Sequence, residues 1–178
     1  LEKGMEFFFK VNSSGAHHAK NALGIICVLE RLGIDVTQGI FGLSNWFPAV
    51  GRGLITNIQC GEQHLVRGFT IIDETYNANP ASMKAAVNLL VNYSIASNNM
   101  KSNCLGRRIA ILGDMLELGP KANKMHAELV DKLKLQDIDV IHCIGPHMKF
   151  FYEKLSDSKK GKWVKTVGDF EGIITSLV

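Results

Sequence analysis

Two short stretches of this 178-residue chain gather side chains able to do chemistry. The first runs Ile71-Ile72-Asp73-Glu74-Thr75-Tyr76-Asn77-Ala78-Asn79-Pro80. Adjacent ionised carboxylates accept hydrogen bonds and donate none, which suits the paired hydroxyls of a ribose. Two amides and a phenol follow before a helix begins. A helix-capping loop would account for Asn79 and Pro80, but not for Asp73, Glu74, Tyr76 and Asn77 together, and residue types alone leave both readings open. The second stretch is Ile111-Leu112-Gly113-Asp114-Met115-Leu116-Glu117-Leu118-Gly119-Pro120. Asp114 and Glu117, three apart, share a face if the loop is helical, and Gly113 lets the backbone turn or approach a ligand closely. These acids can receive an amine, or simply cap and solvate a strand-to-helix turn. Taken alone, the second is the simpler reading.

The histidines and cysteines add less. His142 lies in an apolar strand and reads as a satisfied core or edge histidine. His64 in a turn and His147 near a helix start have no evident partner, and His126 can face either the acidic loop or the core. His17 and His18 open the first helix after a Ser-Ser-Gly turn, where free N–H groups can meet an anion. Cys27, Cys60, Cys104 and Cys143 are far apart, without a C-x-x-C pair, and Cys60 with His64 is half a zinc site at most. Cys27 and Cys143 sit in apolar runs and read as buried thiols. No H-E-x-x-H or G-x-S-x-G pattern occurs.

The elements that must position these groups follow from periodicity. Glu6 to Val11 reads as a short strand, and Ala19 to Leu32 as a helix with apolar residues at 22, 26 and 29. Gly33 caps it in the left-handed conformation with Ile34 folding back, and a short helix spans Thr37 to Leu43. Asn45 to Gly53, with Pro48, Gly51 and Gly53, has linker composition and marks a domain boundary. Leu54 to Cys60 and Val66 to Ile72 form two strands about a turn at Gly61-Glu62. Asn79 N-caps a helix beginning at Pro80, with Met83, Val87 and Leu90 in one stripe. Strands at 108–112, 139–144 and 163–167 then alternate with helices at 120–134, 147–155 and 170–177. That alternation predicts an α/β fold, a Rossmann-like, mostly parallel sheet with helices on both faces, whose ligands bind at the carboxyl ends of the strands.

With 46% hydrophobic and 21% charged residues, the disordered and fibrous classes are excluded. No apolar run is long enough to cross a membrane and no secretory leader is visible. A net charge of +3 is too small to imply nucleic acid or an anionic membrane as partner, and Lys159-Lys160-Gly161-Lys162 reads as a solvated turn. The cysteine usage fits a reduced cytoplasmic protein. Leu1, in place of Met, reads as the start of an excised piece.

Three segments carry a resemblance. Gly15 to Leu23 (GAHHAKNAL) resembles the G-x-H-N-x-x-N-A-L motif of the Mur ligase family. Residues 73–87 (DETYNANPASMKAAV) and 110–119 (AILGDMLELG) narrow it. They resemble the branch that adds D-alanyl-D-alanine to UDP-N-acetylmuramoyl-tripeptide, which has Tyr-Asn-Ala-Asn (here Tyr76 to Asn79) where its relatives have a His-containing loop. The resemblance implies a three-domain, cytoplasmic enzyme of peptidoglycan precursor synthesis that closes around ATP and Mg2+. ATP activates the substrate's carboxylate as an acyl phosphate, and the dipeptide amine attacks it. It further implies His17 and Asn21 near the adenine, Arg52 toward the phosphates, and Asp73 and Glu74 on the ribose. Tyr76, Asn77, Asn79, Asp114 and Glu117 would surround the nucleotide edge and the dipeptide.

This chain departs from the pattern. His18 replaces the usual Asn, and Glu74 stands where the family more often has Asp. There is no G-x-x-x-x-G-K-[ST] phosphate loop, and the family's modified lysine, magnesium-binding Glu and His, and closing K-G-S are missing. The expectation is therefore residues 1–50 as the tail of the central ATP-binding domain and 51–178 as the C-terminal domain without its last segment. Such a piece holds neither metal nor cofactor alone, has no catalytic residue of its own, does not turn over, and needs the missing domains as partners. A self-standing, non-catalytic nucleotide- or peptide-binding module on the same fold is the alternative. The Tyr-Asn-Ala-Asn loop argues against a folylpolyglutamate-type ligase.

Overall fold

In the first of the chain's two compact units, Leu1–Tyr76, helix α1 (Ala16–Arg31) turns its apolar stripe inward. Ala22 and Ile26 bury against Leu43 of α2 (Val36–Ser44), with Phe9, Val11, Val36 and Ile40 packed around them. The computed structural model describes residues 8–13, 15–60, 67–93 and 106–174. The turn at Gly61-Glu62, His64 and Cys104 lie outside them. Gly33, at φ 68°, closes α1 as expected: its N–H donates to the Glu30 carbonyl and that of Ile34 to the Leu29 carbonyl, both at 3.0 Å. Asp35 then caps α2 by accepting from the Thr37 amide at 2.8 Å. Strands β1 (Leu54–Cys60) and β2 (Arg67–Asp73) pair antiparallel, with Leu54 opposite Asp73.

Two sequence expectations fail here. Residues 8–11 form no strand; Phe9 and Val11 serve as packing against the two helices instead. Cys27 is exposed, one residue past the buried Ile26 on α1.

The second unit, Asn77–Val178, is a parallel sheet in the order β3-β4-β5, formed by Ile109–Gly113, Val140–Ile144 and Lys160–Val164. Ala110 and Leu112 register with Ile141 and Cys143. All four are buried in one core with Met83 and Val87 of α3 (Pro80–Asn92) and Met148 and Phe151 of α6 (Met148–Lys154). Each fully buried aliphatic or aromatic side chain there contributes about 1.5–3 kcal/mol. Burial pushes the Cys143 thiol up to about 12, so it packs as an inert hydrophobe. On the opposite face His142 meets Phe170 of α7 (Val167–Ile174) edge-on, centroids 5.4 Å apart. Helices therefore cover both faces.

Strand β5 begins at Lys160, so the basic run expected as a turn enters the sheet. An irregularity sets Lys160 opposite Ile141 but Trp163 opposite Cys143. At that irregularity the Lys162 amide donates to His142 Nδ1 at 3.0 Å. Gly161 leaves room for the ring, since a Cβ there would lie 2.7 Å from it. The helix expected over 120–134 divides into α4 (Ala122–Ala127) and α5 (Leu129–Lys132). At Glu128 the backbone tightens to an i+3 turn, the Asp131 amide donating to its carbonyl at 3.3 Å.

Among the described residues, no helix is long and apolar enough to cross a membrane.

Candidate functional site

At the open end of the β1–β2 hairpin, residues 51–53 meet residues 73–76. The Gly53 amide donates to the Asp73 carbonyl at 2.7 Å and the Tyr76 amide to the Gly51 carbonyl at 3.1 Å. Asp73 closes this corner with its side chain. Oδ2 accepts from the Gly51 amide at 3.0 Å, and Oδ1 accepts from the Thr75 amide and hydroxyl at 3.1 and 2.7 Å. The Thr75 hydroxyl, foremost among these donors, holds the carboxyl below its ordinary range. Gly51 at φ 78° and Gly53 at φ 89° are in the left-handed region. A Cβ on Gly51 would sit 3.0 Å from the Tyr76 amide nitrogen. The corner thus requires glycine at both positions.

Glu74 behaves differently. Its Oε1 is buried and has no hydrogen-bond partner, and burial pushes the carboxyl above its usual value, with Asp73 adding to the effect and His17 opposing it. The same oxygen lies beside Gly53, whose space it shares with His18. His18 is buried. Its Nε2 donates to the Arg52 carbonyl at 3.1 Å, and its ring stands 3.9 Å from His17 and 5.1 Å from Trp46, centroid to centroid. Desolvation, then the proximity of His17, holds this imidazole below 6.5. Arg52 lays its guanidinium 4.0 Å over the ring of Tyr76, itself 68% exposed. Asn21, one turn past His17, is exposed beside a shallow hollow lined by Lys20, Gly24 and Ile25.

One unit therefore brings together His17, Arg52, Asp73, Glu74 and Tyr76. The arrangement offers a desolvated acceptor lacking a donor, a cation resting on an exposed aromatic face, and two imidazoles. A hydroxyl pair can donate to the first and an anion can draw the second. Trp46, Thr75 and the two glycines were missed by sequence reasoning. The G-x-G spacing at 51–53 was the available signal, since paired glycines ahead of a strand mark a backbone that must pass close to something.

The remaining candidates belong to the second unit. Asn79 caps α3: Oδ1 accepts from the Ala81 and Ser82 amides, both at 2.9 Å, while its own amide donates to Ser82 Oγ at 2.9 Å. Asn77 Oδ1 accepts from the Ala78 amide at 2.8 Å. Asp114 accepts from the His147 and Met148 amides at the start of α6, at 3.1 and 2.7 Å. Glu117 is exposed on left-handed backbone, φ 61°. His147 does have a partner, its Nδ1 donating to Asn123 Oδ1 at 2.6 Å. Among the described residues, no group of three or more His, Cys, Asp or Glu side chains could hold a metal ion.

Comparison with known proteins places the chain in a family. Residues 60–178 match the model of the Mur ligase glutamate ligase domain. The UDP-N-acetylmuramoyl-tripeptide–D-alanyl-D-alanine ligase of Rickettsia prowazekii is 30% identical over 161 residues, covering 90% of this chain and 32% of the relative. The enzyme of the same name from Bacillus subtilis is 29% identical, covering 85% and 30%. Two solved structures share the fold. One is MurF from Acinetobacter baumannii (TM-score 0.72, 24% identity, 96% of this chain and 33% of that one). The other is the MurF ligase of Thermotoga maritima in complex with ADP (TM-score 0.66, 24% identity, 96% and 34%). The chain spans about a third of the length of the curated relatives it matches.

Proposed function

The chain belongs to the Mur ligase family, and from that premise we propose that it is the C-terminal part of a cytoplasmic ATP-dependent ligase joining D-alanyl-D-alanine to UDP-N-acetylmuramoyl-tripeptide. The observation that carries the nucleotide half of this reading is Glu74: a buried carboxylate oxygen without a donor, in the same corner as the Arg52 guanidinium. Within the whole enzyme, residues 1–50 complete the central ATP-binding domain and 51–178 form the C-terminal domain. When bound, ATP supplies the phosphoryl group that activates the tripeptide's terminal carboxylate.

This chain's residues bind and orient. Glu74 accepts the ribose hydroxyls. Asp73, whose oxygens are already engaged by Gly51 and Thr75, shapes the corner that carries Arg52 and Tyr76. Arg52 reaches from its rest on Tyr76 toward the phosphates, and His17 and Asn21 flank the adenine. Asn77 and Asn79 order the approach to α3, and Glu117 with Asp114 belongs to the dipeptide side. Magnesium, which the resemblance implies for the whole enzyme, has no converging set of three donors among the described residues.

Phosphate release tests the assignment. In the complete enzyme, release from ATP should require both the UDP-linked tripeptide and D-alanyl-D-alanine, and the 178-residue chain alone should release none. Dipeptide-dependent release by the chain alone overturns the division of labour. Release by the complete enzyme with other amine acceptors, but not with this dipeptide, overturns the substrate.

A further inference from the structure

We propose that His126 is a positioning residue: its neutral ring, sealed in the core, fixes the turn after β3 so that Glu117, rather than Asp114, is presented to the incoming amine. The inference rests on the reading above that this turn serves the dipeptide, and it goes beyond that reading by dividing the two acids and naming what orients them.

His126 is fully buried. The Met115 amide donates to its Nε2 at 2.9 Å, so that nitrogen carries the lone pair. Nδ1 lies 2.7 Å from the Ala122 carbonyl, which can only accept, so Nδ1 carries the proton. Only the neutral Nδ1–H tautomer satisfies both contacts, and neither nitrogen has capacity left for a ligand. The ring is therefore a strut between α4 and the backbone of the turn. Asp114, one residue earlier, is a second strut: its two oxygens accept the His147 and Met148 amides. Gly145, at φ 115°, leaves the space that the Asp114 carboxylate fills, for a Cβ there would collide with it. The struts are joined, since His147 stacks on His126 at 5.4 Å between centroids and is held by Asn123.

Past these two pinned residues the chain turns outward. Leu116 is 69% exposed, and Glu117 is the one non-glycine residue with positive φ among those described. A glutamate in the left-handed region is unfavourable by itself and persists only when its surroundings impose it. The two struts are the surroundings that do so. The result is an outward carboxylate on an over-determined backbone, the geometry that a charge-assisted contact to an ammonium or amine group calls for.

The test has a structural arm and a kinetic arm. In the 178-residue chain, long-range 1H–15N correlation should show His126 as the Nδ1–H tautomer, with a slowly exchanging Met115 amide. The Nε2–H tautomer overturns the inference, whatever the variants do. In the complete ligase, Glu117→Gln should raise KM for D-alanyl-D-alanine about tenfold, the loss of one charge-assisted contact. His126→Phe should do likewise while KM for ATP stays unchanged, and His126→Gln, whose amide oxygen can stand in for Nε2, should recover part of the loss. If Glu117→Gln moves the dipeptide KM and neither His126 variant does, the positioning role is overturned and the dipeptide reading stands. If His126→Phe frees the Met115 amide but neither it nor Glu117→Gln moves the dipeptide KM, the dipeptide reading of the turn is what fails. The tautomer and His126→Gln carry the test even where His126→Phe does not fold.

Discussion

Replacing Glu74 by Gln should strengthen the chain and weaken its nucleotide site in one step. Its Oε1 is buried without a donor, and an ionised acceptor left unsatisfied in that way costs about 1–3 kcal/mol. Glu74 is half-buried, so the low end applies, and Glu74→Gln should gain about 1 kcal/mol at neutral pH. The gain must depend on pH in a definite sense. Burial raises the folded carboxyl above 4.5, so the native state holds this proton more tightly than the unfolded state. The group's contribution is fully present below that value and is lost as pH rises through the folded value. The advantage of Gln should therefore be complete near neutrality and vanish by about pH 4. Urea denaturation of both proteins at the two pH values measures it. A carboxamide offers one acceptor oxygen without charge, so ADP affinity in the complete enzyme should fall about tenfold. Equal stabilities at neutral pH, or a gain that persists undiminished in acid, would refute the claim that Glu74 is an unsatisfied carboxylate.

His18 predicts the opposite pH sign. Desolvation, with His17 beside it, holds its ring below 6.5, so its contribution is present above 6.5 and lost as pH falls through the folded value. His18→Gln, whose amide can donate to the same Arg52 carbonyl, should flatten the fall of Tm on acidification relative to the parent chain; an unchanged slope counts against a buried neutral imidazole there. At Glu117, glycine relieves the left-handed penalty but loosens the unfolded chain, a net gain of about 0.5 kcal/mol. Alanine keeps the penalty, so an alanine variant as stable as the glycine variant by chemical denaturation would show that φ 61° is not strained.

What could be read from the sequence was local. Gly33 after an apolar stripe, and Asn79 before Pro80, announce helix ends through chemistry confined to a few neighbouring residues, and both caps form as expected. Alternating strands and helices gave the parallel sheet for the same reason. Contacts that cross long stretches of chain were illegible. Nothing near Asp73 indicates that Gly51, 22 residues earlier, will donate to it, and nothing near His147 indicates Asn123. The aromatic run before Val11 misled because strand-like composition also describes residues that merely cover a helix pair, as Phe9 does. Strand β5 began early because the buried His142 ring accepts the Lys162 amide at the irregularity, a substitution no periodicity encodes.

The two acidic turns obey one rule. In each, the aspartate bonds to backbone amides close by: Asp73 to Gly51 and Thr75, and Asp114 to His147 and Met148. In each, the glutamate projects elsewhere, Glu74 with an unsatisfied oxygen and Glu117 on exposed left-handed backbone. The cause is reach. A carboxylate on one methylene stays beside its own backbone and meets the amides packed against that turn, Thr75 and Gly51 at Asp73 and the start of α6 at Asp114, whereas a second methylene carries it outward past them. A position that shapes the turn therefore needs aspartate, and a position that extends from it accepts either acid. In this chain the shorter acid stands at 73, where the corner depends on it, and the longer one at 74, where only an acceptor is required.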